Sequence, residues 1–296
     1  MNDTDIFGYT GKVCVVTGSS NGMGLATAKL LVSLGAQVYA VSRSSTKVEG
    51  LAADILCDLS KKASIDEAFV KIPEKIDCFF GVAGLSGSKT DYQTTFHCDF
   101  TSNKYITEQY LRPRMGRGGS ITFVSSTAGL NWEKHQKEQN RIVHAPTWEE
   151  TDHALGRLPA ISPPNFAYIF AKRCLSQYAA EQALALGKAG IRVNNVMPGA
   201  TDTGLKDEFE KMAGGKEALL NETGVSHRLA SPEEMAGPIV FLGSEMSSFI
   251  SGVDLCVDSA DRTEKILKMK KDNMNIPATS PLVLSIAKKT MAQKIK

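Results

Sequence analysis

One stretch near the N-terminus limits the fold more than any other. The run Lys12 to Thr17 (KVCVVT) leads directly into Gly18-Ser19-Ser20-Asn21-Gly22-Met23-Gly24, and from Gly22 to Leu34 the pattern is helical. The first run is short, apolar and β-branched, as a strand buried on both faces requires. In the helical stretch, Leu25, Ala28, Leu31 and Val32 share one side. Glycines between a strand and a helix permit a tight turn and bring the backbone close to a pyrophosphate at the helix N-terminus. A plain Gly-rich turn is the alternative, and the loop's place as the first βα turn argues against it.

The same alternation continues along the chain. Strands are expected over 37–41, 54–57, 77–82, 120–125, 191–196 and 253–257, with helices over 96–112, 166–186 and from Pro232. Strands alternating with helices imply an α/β fold, a Rossmann-type doubly wound parallel sheet in a single domain. At 296 residues, with 42% apolar side chains, the chain is long enough for one large core.

Two segments fall outside the pattern. Residues 131–165 are polar and Pro-containing, with one short helix expected near Trp148 to Leu155 behind a Thr147 cap. Trp132, Ile142, Val143, Trp148, Leu155 and Leu158 give this insertion enough apolar surface for a lid over a flat apolar substrate, or for an oligomer contact. Residues 263–296 carry eight Lys against Glu264 and Asp272. They read as a basic C-terminal extension with a helix from Pro281, where Leu284, Ala287, Met291 and Ile295 share a face. The division expected is a catalytic domain over 1–262 and this extension over 263–296. The extension packs on its own or a neighbouring subunit, or touches a membrane surface.

Charge and composition exclude several classes. A net charge of +2 gives no footprint for nucleic acid. Six scattered Cys and five His lack metal-ligand spacing, so no metal is expected. No signal-like N-terminus or membrane-length apolar run is present, which fits the cytoplasm.

Tyr168 and Lys172 stand four apart on the expected helix over 166–186, hence on one face. A phenol with a pKa near 10 is a poor proton donor or acceptor at neutral pH, and a neighbouring ammonium lowers it. Ser125-Ser126 closes the expected fifth strand, and Pro198-Gly199-Ala200-Thr201-Asp202-Thr203 follows the sixth. A pair of surface side chains and an ordinary Pro-Gly turn are the bland readings of these motifs.

Together, T-G-x-x-x-G-x-G over 17–24, the Ser before the insertion and Y-x-x-x-K over 168–172 resemble the short-chain dehydrogenase/reductase family, from residue 10 to about 260. The resemblance implies hydride transfer between a nicotinamide cofactor and a carbonyl or alcohol. It makes Tyr168 the acid/base, Lys172 its partner and Ser126 the group holding the substrate oxygen. The cofactor would rest on Gly18, Ser20, Asn21, Gly22, Met23 and Gly24, with Asp58 and Leu59 near the adenine and Ala83 and Gly84 beside it. Pro198, Gly199, Thr201 and Thr203 would hold the nicotinamide end. Ser42 stands where NAD enzymes of the family carry Asp, and Arg43 offers a guanidinium fork to a 2′-phosphate, so NADP(H) is expected over NAD(H). Arg43 as a solvated loop residue is the alternative. Asp99 replaces the family's tetrad Asn, whose main-chain carbonyl holds a water leading to the Lys.

The 42 positions from Ser126 to Tyr168 exceed the family's usual interval, and the pattern resembles bacterial 3α-hydroxysteroid dehydrogenase/carbonyl reductases. This implies a small apolar substrate, a steroid or bile acid at its 3-position, and a homodimer or homotetramer. A general carbonyl reductase and a non-catalytic nucleotide-binding regulator are the competing readings.

Overall fold

The computed structural model describes residues 5–156 and 164–270. Leu158 and the helix expected beyond Pro281 lie outside them.

Seven strands form one parallel sheet in the order β3-β2-β1-β4-β5-β6-β7. They are β1 (Val13–Thr17), β2 (Gln37–Ser42), β3 (Ala53–Leu56), β4 (Cys78–Gly81), β5 (Ser120–Val124), β6 (Arg192–Pro198) and β7 (Asp254–Val257). The central strands are buried on both faces because helices cover both. Side chains alternate accordingly. Val15, Phe79, Ile121 and Phe123 join one core layer, while Cys14, Val16, Phe80 and Val124 join the other. The strand order reverses between β1 and β4, whose ends meet at Thr17 and Gly81. Ligands of open α/β sheets bind outside the carboxyl ends of the strands at such a reversal.

Helix α1 (Gly22–Ser33) follows the Gly-rich turn, and Asn21 caps it by accepting from the Gly22 N–H. A helix absent from the sequence expectation, α2 (Lys62–Phe69), follows β3. The helix expected from Phe96 begins earlier, because Asp91 accepts the Thr94 N–H at 2.8 Å and caps it there. It runs over 92–114 as α3 (Tyr92–Phe96), α4 (Ser102–Ile106) and α5 (Arg112–Arg114), separated by π-turns at His97–Thr101 and Thr107–Leu111.

Among its described residues the insertion holds two α-helices, α6 (Gln136–Val143) and α7 (Trp148–Gly156), where one was expected. Ile142, Val143, Trp148 and Leu155 do not face the cleft; they are buried in the core. The Trp148 ring stacks on His97 at 4.6 Å, and His97 Nε2 lies 2.8 Å from Asp152 Oδ1. The apolar side chains of the insertion are satisfied within the protein rather than over the cleft: Trp148 packs on His97 and Tyr105, and α6 lies against the long helix over 164–187.

The long helix α8 (Pro164–Gly187) lies against the sheet and carries the Y-x-x-x-K motif. After β6 come α9 (Lys206–Ala213) and α10 (Lys216–Leu220). Helix α11 (Pro232–Gly243) starts at a capping box of Ser231 and Glu234. Helix α12 (Asp261–Ile266) straddles residue 262, the boundary expected between domain and extension.

Candidate active site

A cleft of about 1680 Å³ opens at the carboxyl ends of β1, β4, β5 and β6. Small-ligand pockets usually hold roughly 300–1,000 Å³, so this one has room for a dinucleotide and a second molecule. All the expected cofactor-contacting residues line it, from Gly18 in the first turn to Thr203 beyond β6.

The turn is shaped by what its glycines omit. Gly18 has φ +72°, and a Cβ there would come within 2.6 Å of the Ala83 Cα. At Gly24 a Cβ would overlap the Gly18 carbonyl. Thr17 Oγ1 accepts the N–H groups of Val82 and Ala83 at 3.2 and 3.4 Å, which fixes the end of β4 against the turn. The result is a shallow cradle over the N-terminus of a twelve-residue helix, the geometry that favours a phosphate. These residues fit a dinucleotide.

At the far end of β2, Ser42 is buried and its hydroxyl donates to the Ser44 carbonyl at 2.6 Å. Arg43 is exposed and lines the cleft. Asp58 also lines it, and accepts the Ser60 hydroxyl at 2.7 Å and the Ser60 N–H at 3.1 Å. Although burial opposes it, these bonds and the Lys61 ammonium hold the Asp58 carboxyl below its ordinary range.

On the floor of the cleft, β5 ends at Val124, and Ser126 turns the chain into a short 3₁₀ segment, its hydroxyl accepting the Ala128 N–H at 3.1 Å. The Ser126 hydroxyl also favours the ionised form of the Tyr168 phenol. One helical turn on, Lys172 is buried, its Nζ 5.6 Å from the Tyr168 ring centre and donating to the Val124 carbonyl at 3.1 Å. The structure thus brings together the three residues expected from widely spaced sequence positions. Burial pushes the Tyr168 phenol above its ordinary value, Asp99 adds to the rise, and the Ser126 hydroxyl works against it. The Lys172 ammonium, expected to lower it with the help of oxidised nicotinamide, stands beside Asp99 and donates to the Val124 carbonyl.

Asp99 lies in the first π-turn, behind Gly84 rather than on the cleft surface. Its backbone carbonyl accepts the Asn103 side-chain amide at 3.3 Å, while its carboxylate faces Lys172.

Behind Ser126 runs a buried polar network that the sequence did not suggest. Ser125 and Ser176 both donate to the Lys172 carbonyl, at 2.9 and 3.0 Å. Asn195 donates to Ser176 and to Asp254, and Trp132 Nε1 donates to Asp254 at 2.7 Å. The insertion is thereby tied to the backbone of the catalytic helix.

The roof over Tyr168 comes from elements after β6. Phe209 of α9 meets the Tyr168 ring edge-on at 5.3 Å. Met212, Leu219, Ile266 and Met269 extend the apolar wall, opposite Leu130 and Asn131 at the start of the insertion. Glu208 anchors the roof: it accepts the Ser86 and Ser88 hydroxyls and pairs with Lys89 at 2.7 Å. Lys265 joins Glu222 to Asp261, both at 2.6 Å, and fastens α12 to the same roof. Among the described residues there is no helix long and apolar enough to cross a membrane, and no metal-ligating cluster.

The short chain dehydrogenase profile matches residues 12–137, and the enoyl-(acyl carrier protein) reductase profile matches 155–259. Coniferyl-alcohol dehydrogenase of Pseudomonas sp. (strain HR199 / DSM 7063) is 33% identical over 253 residues, covering 84% of this chain and 96% of that protein. The 3-alpha-hydroxysteroid dehydrogenase/carbonyl reductase of Comamonas testosteroni is 24% identical, covering 83% and 95%. The crystal structure of 3-alpha-hydroxysteroid dehydrogenase from Pseudomonas sp. B-0831, complexed with NADH, superposes with a TM-score of 0.73 at 21% identity, covering 88% and 100%.

Proposed function

The chain belongs to the short-chain dehydrogenase/reductase family of NAD(P)-dependent oxidoreductases, and from that premise we propose that it interconverts an alcohol and a carbonyl on an apolar, ring-bearing substrate, with NADP(H) as its preferred cofactor. The observation that carries the reading is the convergence of Ser126, Tyr168 and Lys172 on one cleft, with Lys172 one helical turn from Tyr168. When bound, the nicotinamide dinucleotide supplies or accepts the hydride. Gly18 and Gly24 would admit its pyrophosphate, Arg43 would meet the adenosine 2′-phosphate, and Thr201 and Thr203 would hold the nicotinamide end. Ser126 orients the substrate oxygen, and Tyr168 exchanges a proton with that same oxygen. Phe209, Met212, Leu219 and Ile266 give the cleft its apolar wall, which suits a steroid or bile acid reacting at a 3-hydroxy or 3-oxo group.

A second reading is an aromatic alcohol, favoured by the 33% identity to a coniferyl-alcohol dehydrogenase. Turnover followed at the nicotinamide absorbance on steroid, bile-acid, cinnamyl and small-carbonyl substrates separates the two. Tyr168→Phe keeps the ring and removes the hydroxyl, so turnover on any accepted substrate falls by about 10²–10⁴. Cofactor binding stays near wild type. Near-normal turnover of the Phe variant refutes the site.

A further inference from the structure

Between the strand ends and the catalytic helix sits a carboxylate with one unmatched oxygen. Asp99 is completely enclosed. Oδ1 accepts the Leu85 N–H at 2.7 Å, whereas Oδ2 has no hydrogen-bond partner and stands 3.9 Å from Lys172 Nζ. The gap between them is kept open by Gly84, where a Cβ would lie 3.3 Å from Lys172 Nζ and 3.6 Å from Asp99 Oδ1. Lys172 is itself only 4% exposed, so neither charge is much screened by water.

The groups that face Asp99 are few. Helix α8 presents Lys172 and Tyr168, the adjacent Cys98 thiol is pushed up by burial, and the turn after β4 offers only the Leu85 N–H. Arg43 and Asp58 act on Cys98 more weakly than either Asp99 or Lys172 does. Lys172 is therefore the cation that answers the Asp99 carboxylate.

We propose that Asp99 is a positioning residue whose carboxylate pairs with the Lys172 ammonium and makes the site a better proton donor to a carbonyl than proton acceptor from an alcohol. The inference rests on the reading of Tyr168 as the acid/base. Carbonyl reduction needs the phenol: the hydride's electron pair forms the new C–H bond, the C=O π pair moves onto oxygen, and the phenol gives its O–H proton to that oxygen. Alcohol oxidation needs the phenolate, which takes the hydroxyl proton as the hydride leaves carbon. A carboxylate beside Lys172 cancels the positive charge that would stabilise a phenolate, so it leaves the donor form intact and penalises the acceptor form. The lone buried cation of an Asn-bearing site has no such opponent.

The experiment compares pH profiles of kcat/KM for alcohol oxidation in wild type, Asp99→Asn and Asp99→Ser, on whichever alcohol the substrate panel identifies. Removing the charge is expected to move the rising limb down by about one pH unit or more, the size of a close-charge effect. An unmoved limb, or one that moves up, overturns the proposal. Should neither variant fold, the difference in phenolate absorbance between wild type and Tyr168→Phe reports the Tyr168 titration directly. Ionisation below the ordinary tyrosine value of about 10 would then overturn it. Full turnover by Tyr168→Phe removes the underlying site instead, and is a separate result.

Discussion

Replacing Asp99 by Asn should shift the stability difference from wild type steadily in favour of Asn as pH rises from about 4 to 7, a dependence that a simple loss of contacts cannot produce. Burial pushes the Asp99 carboxyl from 3.8 to about 6, with the Lys172 ammonium and the Leu85 N–H working against the rise. An acid that holds its proton more tightly when folded favours the fold at low pH and withdraws that stability as pH climbs through the folded value. At about 1.36 kcal/mol per unit, the shift corresponds to about 3 kcal/mol lost by wild type across this window. Asn keeps an oxygen for the Leu85 N–H but does not titrate. Its amide would replace the unpartnered Oδ2 and leave Lys172 unpaired, at a cost of a few kcal/mol that stays constant over the same pH range. The slope is therefore the diagnostic quantity. Urea unfolding of both proteins at half-unit steps from pH 4 to 7.5 should show their stability difference changing by about 3 kcal/mol in favour of Asn. Parallel curves would mean that Asp99 titrates normally, and the reasoning about its burial would be wrong.

Two further outcomes are expected. Arg43→Ala should lower the NADP(H)/NAD(H) ratio of kcat/KM by roughly tenfold, because a charge-assisted bond from an exposed guanidinium falls at the weak end of about 1.5–3 kcal/mol. Ser42→Asp should lower it further, and a wild-type preference for NAD(H) refutes the cofactor assignment. At the roof, Glu208→Ala should raise the substrate KM several-fold more than Glu208→Gln, with kcat changed less, as steady-state kinetics will show. The Gln variant keeps an acceptor for the buried Ser86 hydroxyl and for Ser88, and the Lys89 pair it loses is 74% exposed on the lysine side and contributes little. Equal effects of the two substitutions would refute that ranking.

The parts of the fold visible in the sequence are those set by local chemistry. Strand β1 and the turn after it follow from a buried apolar run meeting Gly18, Gly22 and Gly24, and Pro232 marks the start of α11. The start of the 92–114 helical run was missed although its signal was present, an Asp91 that caps Thr94. The two π-turns inside it had no local signal, because no Gly or Pro lies at either one. Helix α6 was hidden by its polarity: in QKEQNRIV only Gln139, Ile142 and Val143 are buried.

The insertion shows why a site is harder to read than a fold. Its apolar residues suggested a cover for the substrate, but amphipathic pattern says only that a face will be buried, not against what. Trp148 found His97, while Ile142 and Val143 joined the core. What the insertion gives the site is polar instead, the Trp132–Asp254–Asn195–Ser176 chain that ends at the Lys172 carbonyl. Those residues are separated by up to 122 positions, and each is an ordinary polar residue in its own segment. The same holds for the roof, where Glu208 meets Ser86 because β4 and β6, on either side of β5, end at the same edge of the parallel sheet, and Lys265 meets Glu222 because β6 and β7 are neighbours with their ends together. Buried polar groups demand partners, so such networks are dictated as firmly as the apolar core. Their dictation comes from topology, however, and is legible only once the strand order is known.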